Sequence, residues 1–224
     1  MKRLLISLFL VIFIFNICAA RKKDKAGEIE NGIFYDKDYN YSLVIPEGWS
    51  TSVKKGDSDI RLILTKDQYD IPIHFQHAPN YTQVPKVTVY AGPSMMNLDW
   101  FVDSLLSDVY KSDQKKDILN ACEILYGNYI SKRRSKISLG KIDGYLLAGE
   151  RKYTIQVQRA GYESDKADVV TEFFAGDMFL TEHNGQLIIF HFICERLYYK
   201  MLEKEFLDLL NGFQFTDVEP AEEE

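Results

Sequence analysis

Cysteine, proline and histidine are scarce in this 224-residue chain, at three, six and four residues. So few cysteines exclude a disulfide-stapled mini-protein, and no C-x-x-C is present to suggest a zinc or redox site. Six Pro and 13 Gly exclude collagen-like and linker-like chains. Basic residues are the minority charge, 27 against 33 acidic. A net charge of −6 argues against a nucleic-acid partner, which would require a basic footprint on the phosphates. Also missing are G-x-S-x-G, a Walker A loop, G-x-G-x-x-G and H-E-x-x-H. An enzyme would need an unfamiliar site, so no catalytic residue and no cofactor is expected.

What is present is a globular composition, with 46% hydrophobic, 27% charged and 13% aromatic residues. The length fits one domain. The long apolar run is confined to the N-terminus. Lys2 and Arg3 precede an apolar stretch over 4–17, and Cys18-Ala19-Ala20 places small residues before a cut. That is the layout of a secretory signal peptide over residues 1–20, with cleavage after Ala20. The run is shorter than the roughly 20 residues of a membrane span. Two alternatives stand beside it: an uncleaved anchor, or Cys18 as the lipid-carrying residue of a lipoprotein, against which stands the bulk of Ile17. Export to the periplasm or cell exterior is expected, with membrane attachment only through an uncleaved or lipid anchor.

Cys122 and Cys194 remain after such a cut and form the candidate disulfide pair. Bonding would close a loop of roughly 73 residues and add about 4 kcal/mol in the loop-entropy model. The alternative is two buried thiols.

Residues 21–31 are charged and lack apolar periodicity, which reads as a tether. Short strands are expected at 33–36, 41–45, 49–53, 60–65, 71–76 and 86–91, punctuated by Gly, Asp and Pro. The clearest helix spans 98–110, where Leu98, Phe101, Val102, Leu105, Leu106, Val109 and Tyr110 follow one face and Asn97 caps it. A weaker helical period covers 118–126. Further strands are expected at 136–139, 145–150, 153–159 and 169–175. A hairpin, 177–183 with 186–194, then turns on Asn184-Gly185, the preferred pair for a two-residue type I′ turn. Its second strand is apolar on both faces, as for a strand in the middle of a covered sheet. A last helix carries Tyr198, Leu202, Phe206, Leu209 and Leu210 on one face and stops at Asn211-Gly212. Residues 217–224 read as an acidic disordered tail. The fold expected is α/β in the α+β sense: one domain over 32–216, a largely antiparallel sheet with helices packed on both faces, an α/β/α sandwich.

Phe34-Tyr35-Asp36 followed by Tyr41-Ser42-Leu43-Val44-Ile45-Pro46-Glu47-Gly48-Trp49 resembles the opening hairpin of PsbP-like domains. The stretch Ile137-Ser138-Leu139-Gly140-Lys141-Ile142-Asp143-Gly144-Tyr145 and the ending Leu209-Leu210-Asn211-Gly212-Phe213-Gln214-Phe215 are similar to the central and closing segments of that family. The resemblance implies an antiparallel sheet with helices on its two faces. The family includes an extrinsic photosystem II subunit, a Ran-binding nuclear protein and many exported bacterial proteins. It is not typified by a catalytic motif and lends no functional residue to this chain.

The remaining candidates are weighed on geometry. His74 and His77 form H-x-x-H, but an odd spacing on a strand sends them to opposite faces. With Asn184-Gly185 as the turn, His183 pairs with Gln186 and His191 with Met178, about 25 Å apart along the strand, so they share no ion. His191 is the candidate pH-sensitive core residue. Lys132-Arg133-Arg134-Ser135-Lys136 reads as a solvated loop that could meet an anionic lipid or acidic partner. Tyr39, Tyr81 and Tyr162 are contact candidates on expected turns. The function expected is that of a non-catalytic binding or accessory module of the cell envelope, its partner a protein or small molecule. The alternative is a small-molecule or lipid carrier with a pocket between the sheet and the helix over 98–111.

Overall fold

The computed structural model describes residues 24–69, 85–106, 116, 129–157 and 168–217. Its chain order is β1 (Gly27–Glu30), β2 (Ile33–Asp36), β3 (Tyr41–Val44), β4 (Trp49–Val53), β5 (Ile60–Lys66), β6 (Lys86–Pro93), α1 (Leu98–Leu106), β7 (Tyr129–Leu139), β8 (Ile142–Val157), β9 (Asp168–His183), β10 (Gln186–Glu195), α2 (Tyr199–Asn211) and β11 (Phe213–Phe215). Two antiparallel sheets result. A four-stranded sheet runs β1-β2-β3-β11 and a seven-stranded one runs β4-β5-β6-β10-β9-β8-β7.

Strand β10 occupies the middle of the large sheet, as its two apolar faces require. Ile188, Phe190, Phe192 and Cys194 point to one side, where they pack with Leu202, Phe206, Leu209 and Leu210 of α2 and with Phe34, Tyr41, Leu43, Phe213 and Phe215 of the small sheet. Leu187 and Ile189 point the other way and cluster with Tyr90, Tyr145, Leu147, Met178, Leu180 and with Phe101 and Val102 of α1. The molecule is therefore richer in β-structure than the expected sandwich. One layer against the large sheet is a second sheet together with a helix, because the 33–44 hairpin and the 213–215 ending pair with each other rather than extending the large sheet.

Three expectations change. Residues 27–30 are strand β1 rather than tether, and Ala26 is fully buried, so the fold begins before residue 32. The cause is a second Asn-Gly hairpin: Asn31 and Gly32 both have positive φ, at 51° and 77°, just as Asn184 and Gly185 do at 50° and 72°. The segments expected as 145–150 with 153–159, and 169–175 with 177–183, are two continuous 16-residue strands. Gly176 does not break β9, since its bare Cα admits the Phe192 carbonyl oxygen, which would lie 2.1 Å from a Cβ there. Gly212 ends α2 with a negative φ of −86° and is needed instead for contact with Val44, 2.8 Å from where its Cβ would stand. The Asn97 cap forms as expected, its Oδ1 accepting from the Asp99 N–H at 2.9 Å. The weaker helix over 118–126, the strand over 71–76 and the tail beyond 217 lie outside the described residues.

Candidate functional site

The residues singled out from sequence are placed as follows. The β9–β10 register pairs His183 with Gln186 and His191 with Met178, as the turn required. His183 stacks on Phe215, with centroids 4.0 Å apart, and its Nε2 lies 3.0 Å from Asp217, fastening β11 to the hairpin. His191 is 1% exposed, on the same side of the large sheet as Leu187 and Ile189. Cys194 is buried on the opposite face, and its thiol is pushed up by burial and then by the Asp177 charge. Its expected partner Cys122 lies outside the described residues, as do Cys18, His74, His77, Tyr81 and Tyr162. Tyr39 is not a free turn residue: its ring lies 4.8 Å from the Arg61 guanidinium carbon.

The basic run is not a loop. It belongs to edge strand β7, where charge blunts unwanted strand pairing. Arg134 and Lys136 both approach the Tyr145 ring and pair with Asp103 and Asp99 of α1, the latter at 3.3 Å. The hydroxyl of Tyr145 donates to Asp99, and this bond, followed by Lys136, holds the Asp99 carboxyl below its ordinary range. These two cations thus fasten a helix.

The surface that stands out is the start of α2. Arg196 closes the last rung of the large sheet by donating its N–H to the Phe173 carbonyl at 2.7 Å, and its guanidinium lies over the Phe173 ring at 5.5 Å. Three residues later the helix begins, anchored from beneath. The Tyr199 hydroxyl donates to Asp177, 2.8 Å from one oxygen and 2.9 Å from the other, and reaches Glu203 at 3.1 Å. Burial, then the Asp177 charge, pushes that hydroxyl's pKa up, so it stays a donor. Glu205 fixes the middle of the helix by accepting from Trp49 Nε1 at 2.8 Å and Lys66 Nζ at 2.6 Å.

With the inner side so held, the outer side presents Leu197 at 82% exposure and Met201 at 64%, flanked by the half-exposed Tyr198 and Phe173. Tyr69 meets Tyr198 edge-on at 5.8 Å. Apolar side chains grouped this way on a rigid mount mark an interaction surface, and Met, aromatics and Arg are the types enriched at interfaces. Sequence reasoning placed Tyr198 on the buried face. It is the residue before the first helical one and stands half-exposed against Tyr69 rather than buried with Leu202 and Phe206. The usable signal was Leu197 and Met201, two apolar residues four apart and out of phase with the core stripe.

A second grouping is buried. Lys86 and Thr88 on β6 and His191 and Glu195 on β10 share the face that Leu187 and Ile189 line, all under 7% exposed. Burial raises the Glu195 carboxyl to about 7. Beside them, Gly149 and Gly176 pair across β8 and β9, leaving bare backbone. A surface cleft of about 390 Å³ lies elsewhere, lined by Asp24, Lys25, Lys37, Asp38, Gly56 and Asp57. Among the described residues no three metal-ligating side chains converge, and no helix is long and apolar enough to cross a membrane.

No protein-family model matches the chain, and no curated protein matches it. Among solved structures it is similar to the solution structure of cyanobacterial PsbP (CyanoP) from Synechocystis sp. PCC 6803, at 13% identity and a TM-score of 0.48, over 84% of this chain and 96% of that one. No family membership follows at this level of likeness.

Proposed function

We propose that this chain is an exported, non-catalytic binding or accessory module of the cell envelope, and that its contact surface is the start of α2. The observation that carries the reading is the pairing of a fixed inner side, Tyr199 on buried Asp177, with an outer side of Leu197, Tyr198 and Met201. Residues held this way lose little conformational freedom on docking, which lowers the entropic cost of association. Its body is a three-layer arrangement, with α1 and α2 on opposite faces of the large sheet, spanning residues 24–217 as one domain. The test is sedimentation of gently lysed native-host envelope through a sucrose gradient, comparing the natural chain with Leu197→Asp/Met201→Asp. The natural chain is expected to travel with envelope material and the variant to remain in the slow, lone-chain fractions. Identical profiles would refute this surface.

A second reading, a small-molecule carrier, draws on the buried row of Lys86, Thr88, His191 and Glu195. It requires a bound mass in the natively purified protein that is released on denaturation, and a bare chain would end it.

A further inference from the structure

Resting on that contact surface, we infer that the partner of the α2 start is the anionic surface of a lipid bilayer. Lys200 and Lys204 stand one turn apart in a line on α2, about 6 Å per step, and Arg196 lies in the turn that leads into the helix. Met201 starts the adjacent line in the first turn of α2, and Leu197, in the preceding turn, is exposed beside Arg196. The cations project, with side chains 58%, 85% and 82% exposed. Two of the acids that meet them are recessed: Glu150 pairs with Arg196 at 3.7 Å and is 25% exposed, and Glu203 pairs with Lys200 at 3.2 Å and is 15% exposed. Only Asp208, beside Lys204, stands out at 59%. In a chain of net charge −6 the outermost charge of this strip is positive.

Protruding aliphatic side chains beside a row of cations have the chemistry of a helix lying in a bilayer interface. The apolar chains enter the acyl boundary while ammonium and guanidinium groups meet lipid phosphates. Lys and Arg stems extend the apolar strip and keep their heads in water. An acidic protein groove would satisfy the cations, but it gains less from Leu197 and Met201 standing proud of the surface. The N-terminal apolar run over 4–17 would hold the chain at a membrane only if it is kept or replaced by a lipid on Cys18; after cleavage the α2 surface would have to supply the contact.

The test is co-sedimentation of the full chain with sucrose-loaded vesicles of phosphatidylcholine, or of phosphatidylcholine and phosphatidylglycerol at about 7:3. The natural chain is expected to partition onto the anionic vesicles at low salt and to be released by about 0.5 M salt, where charges are screened within a few Å. Leu197→Ser/Met201→Ser and Lys200→Glu/Lys204→Glu should each lower partition at least tenfold; all four side chains are surface-exposed, and circular dichroism checks folding. Equal partition of the natural chain and both variants would assign binding to the N-terminal segment and overturn the inference. A loss in only one variant would also overturn it, because both lines are required. So would no vesicle binding at all, or salt-sensitive binding to polyglutamate in its place. A failed vesicle assay with an intact gradient shift would leave the contact surface standing with a protein partner.

Discussion

Arg61 and Asp36 form an ion pair out of solvent contact, Nε donating to Oδ2 at 2.8 Å with side chains 2% and 0% exposed. The same guanidinium donates to the carbonyls of Gly56, Ser58 and Ala26 and pairs with Asp38. Burial opposes its charge, but the hydrogen bonds and charges of Asp36 and Asp38 together outweigh burial and hold its pKa above the ordinary value. One side chain thus joins β5 of the large sheet to the chain around β1 and β2 of the small one. Removing one partner of such a pair strands the other charge. Asp36→Asn is therefore expected to cost about 3 kcal/mol in urea unfolding. A loss below about 1 kcal/mol would show that Asp38 alone suffices.

Gly176 and Gly140 separate two uses of glycine. At Gly176 an alanine Cβ would meet the Phe192 carbonyl at 2.1 Å, a backbone atom that cannot turn aside. At Gly140 there is open space and a φ of +60°. Gly176→Ala should destabilise by about 3 kcal/mol, as overpacking in a sheet centre does. Gly140→Ala should cost only about 1 kcal/mol of backbone strain. Equal losses would contradict the continuous β9 strand.

Glu195 gives the chain an unusual pH response. Burial raises its carboxyl from 4.5 to about 7, partly opposed by a hydrogen bond from its own backbone. Between those values the unfolded chain ionises while the folded one keeps the proton, so this group's contribution to stability falls as pH rises, by up to about 1.4 kcal/mol per unit. Glu195→Gln should flatten stability between pH 5 and 7 relative to the natural chain. Parallel curves would mean that Glu195 is ionised throughout.

Tyr199→Phe removes the hydroxyl that holds the start of α2 on Asp177. A cost of about 2 kcal/mol is expected, because the buried carboxylate is left without its hydroxyl donor. Hydrogen exchange at residues 198–202 should quicken more than at 206–210. A uniform change along the helix would show that packing, rather than this bond, sets its position.

Much of the β-framework was legible because its signals are local. A run apolar on both faces identified β10 as central, and Asn184-Gly185 set a register that placed His191 opposite Met178. Asn31-Gly32 carried the same signal, but the charged stretch before it masked the short β1. Arg61 gave no sequence clue: it sits between Ile60 and Leu62 in an ordinary strand pattern, and only folding brings Asp36 and Asp38 to it. The separation of β11 with β1–β3 into a second sheet is likewise a matter of long-range pairing. At the candidate site, the exposure of Leu197 and Met201 was not anticipated from the sequence, and the anchoring of Tyr199 on Asp177 depends on a hydrogen bond across 22 residues.

The most direct test of the contact surface is photo-crosslinking in native cells, with a photoreactive side chain placed in turn at positions 201, 100 and 35. Met201 lies on the proposed surface, Trp100 on α1, and Tyr35 on the small sheet; all three natural residues are exposed. A discrete lipid or protein adduct is predicted at 201 and none at 100 or 35. Adducts at 100 or 35 with none at 201 would contradict the assignment and move the working surface of this protein elsewhere.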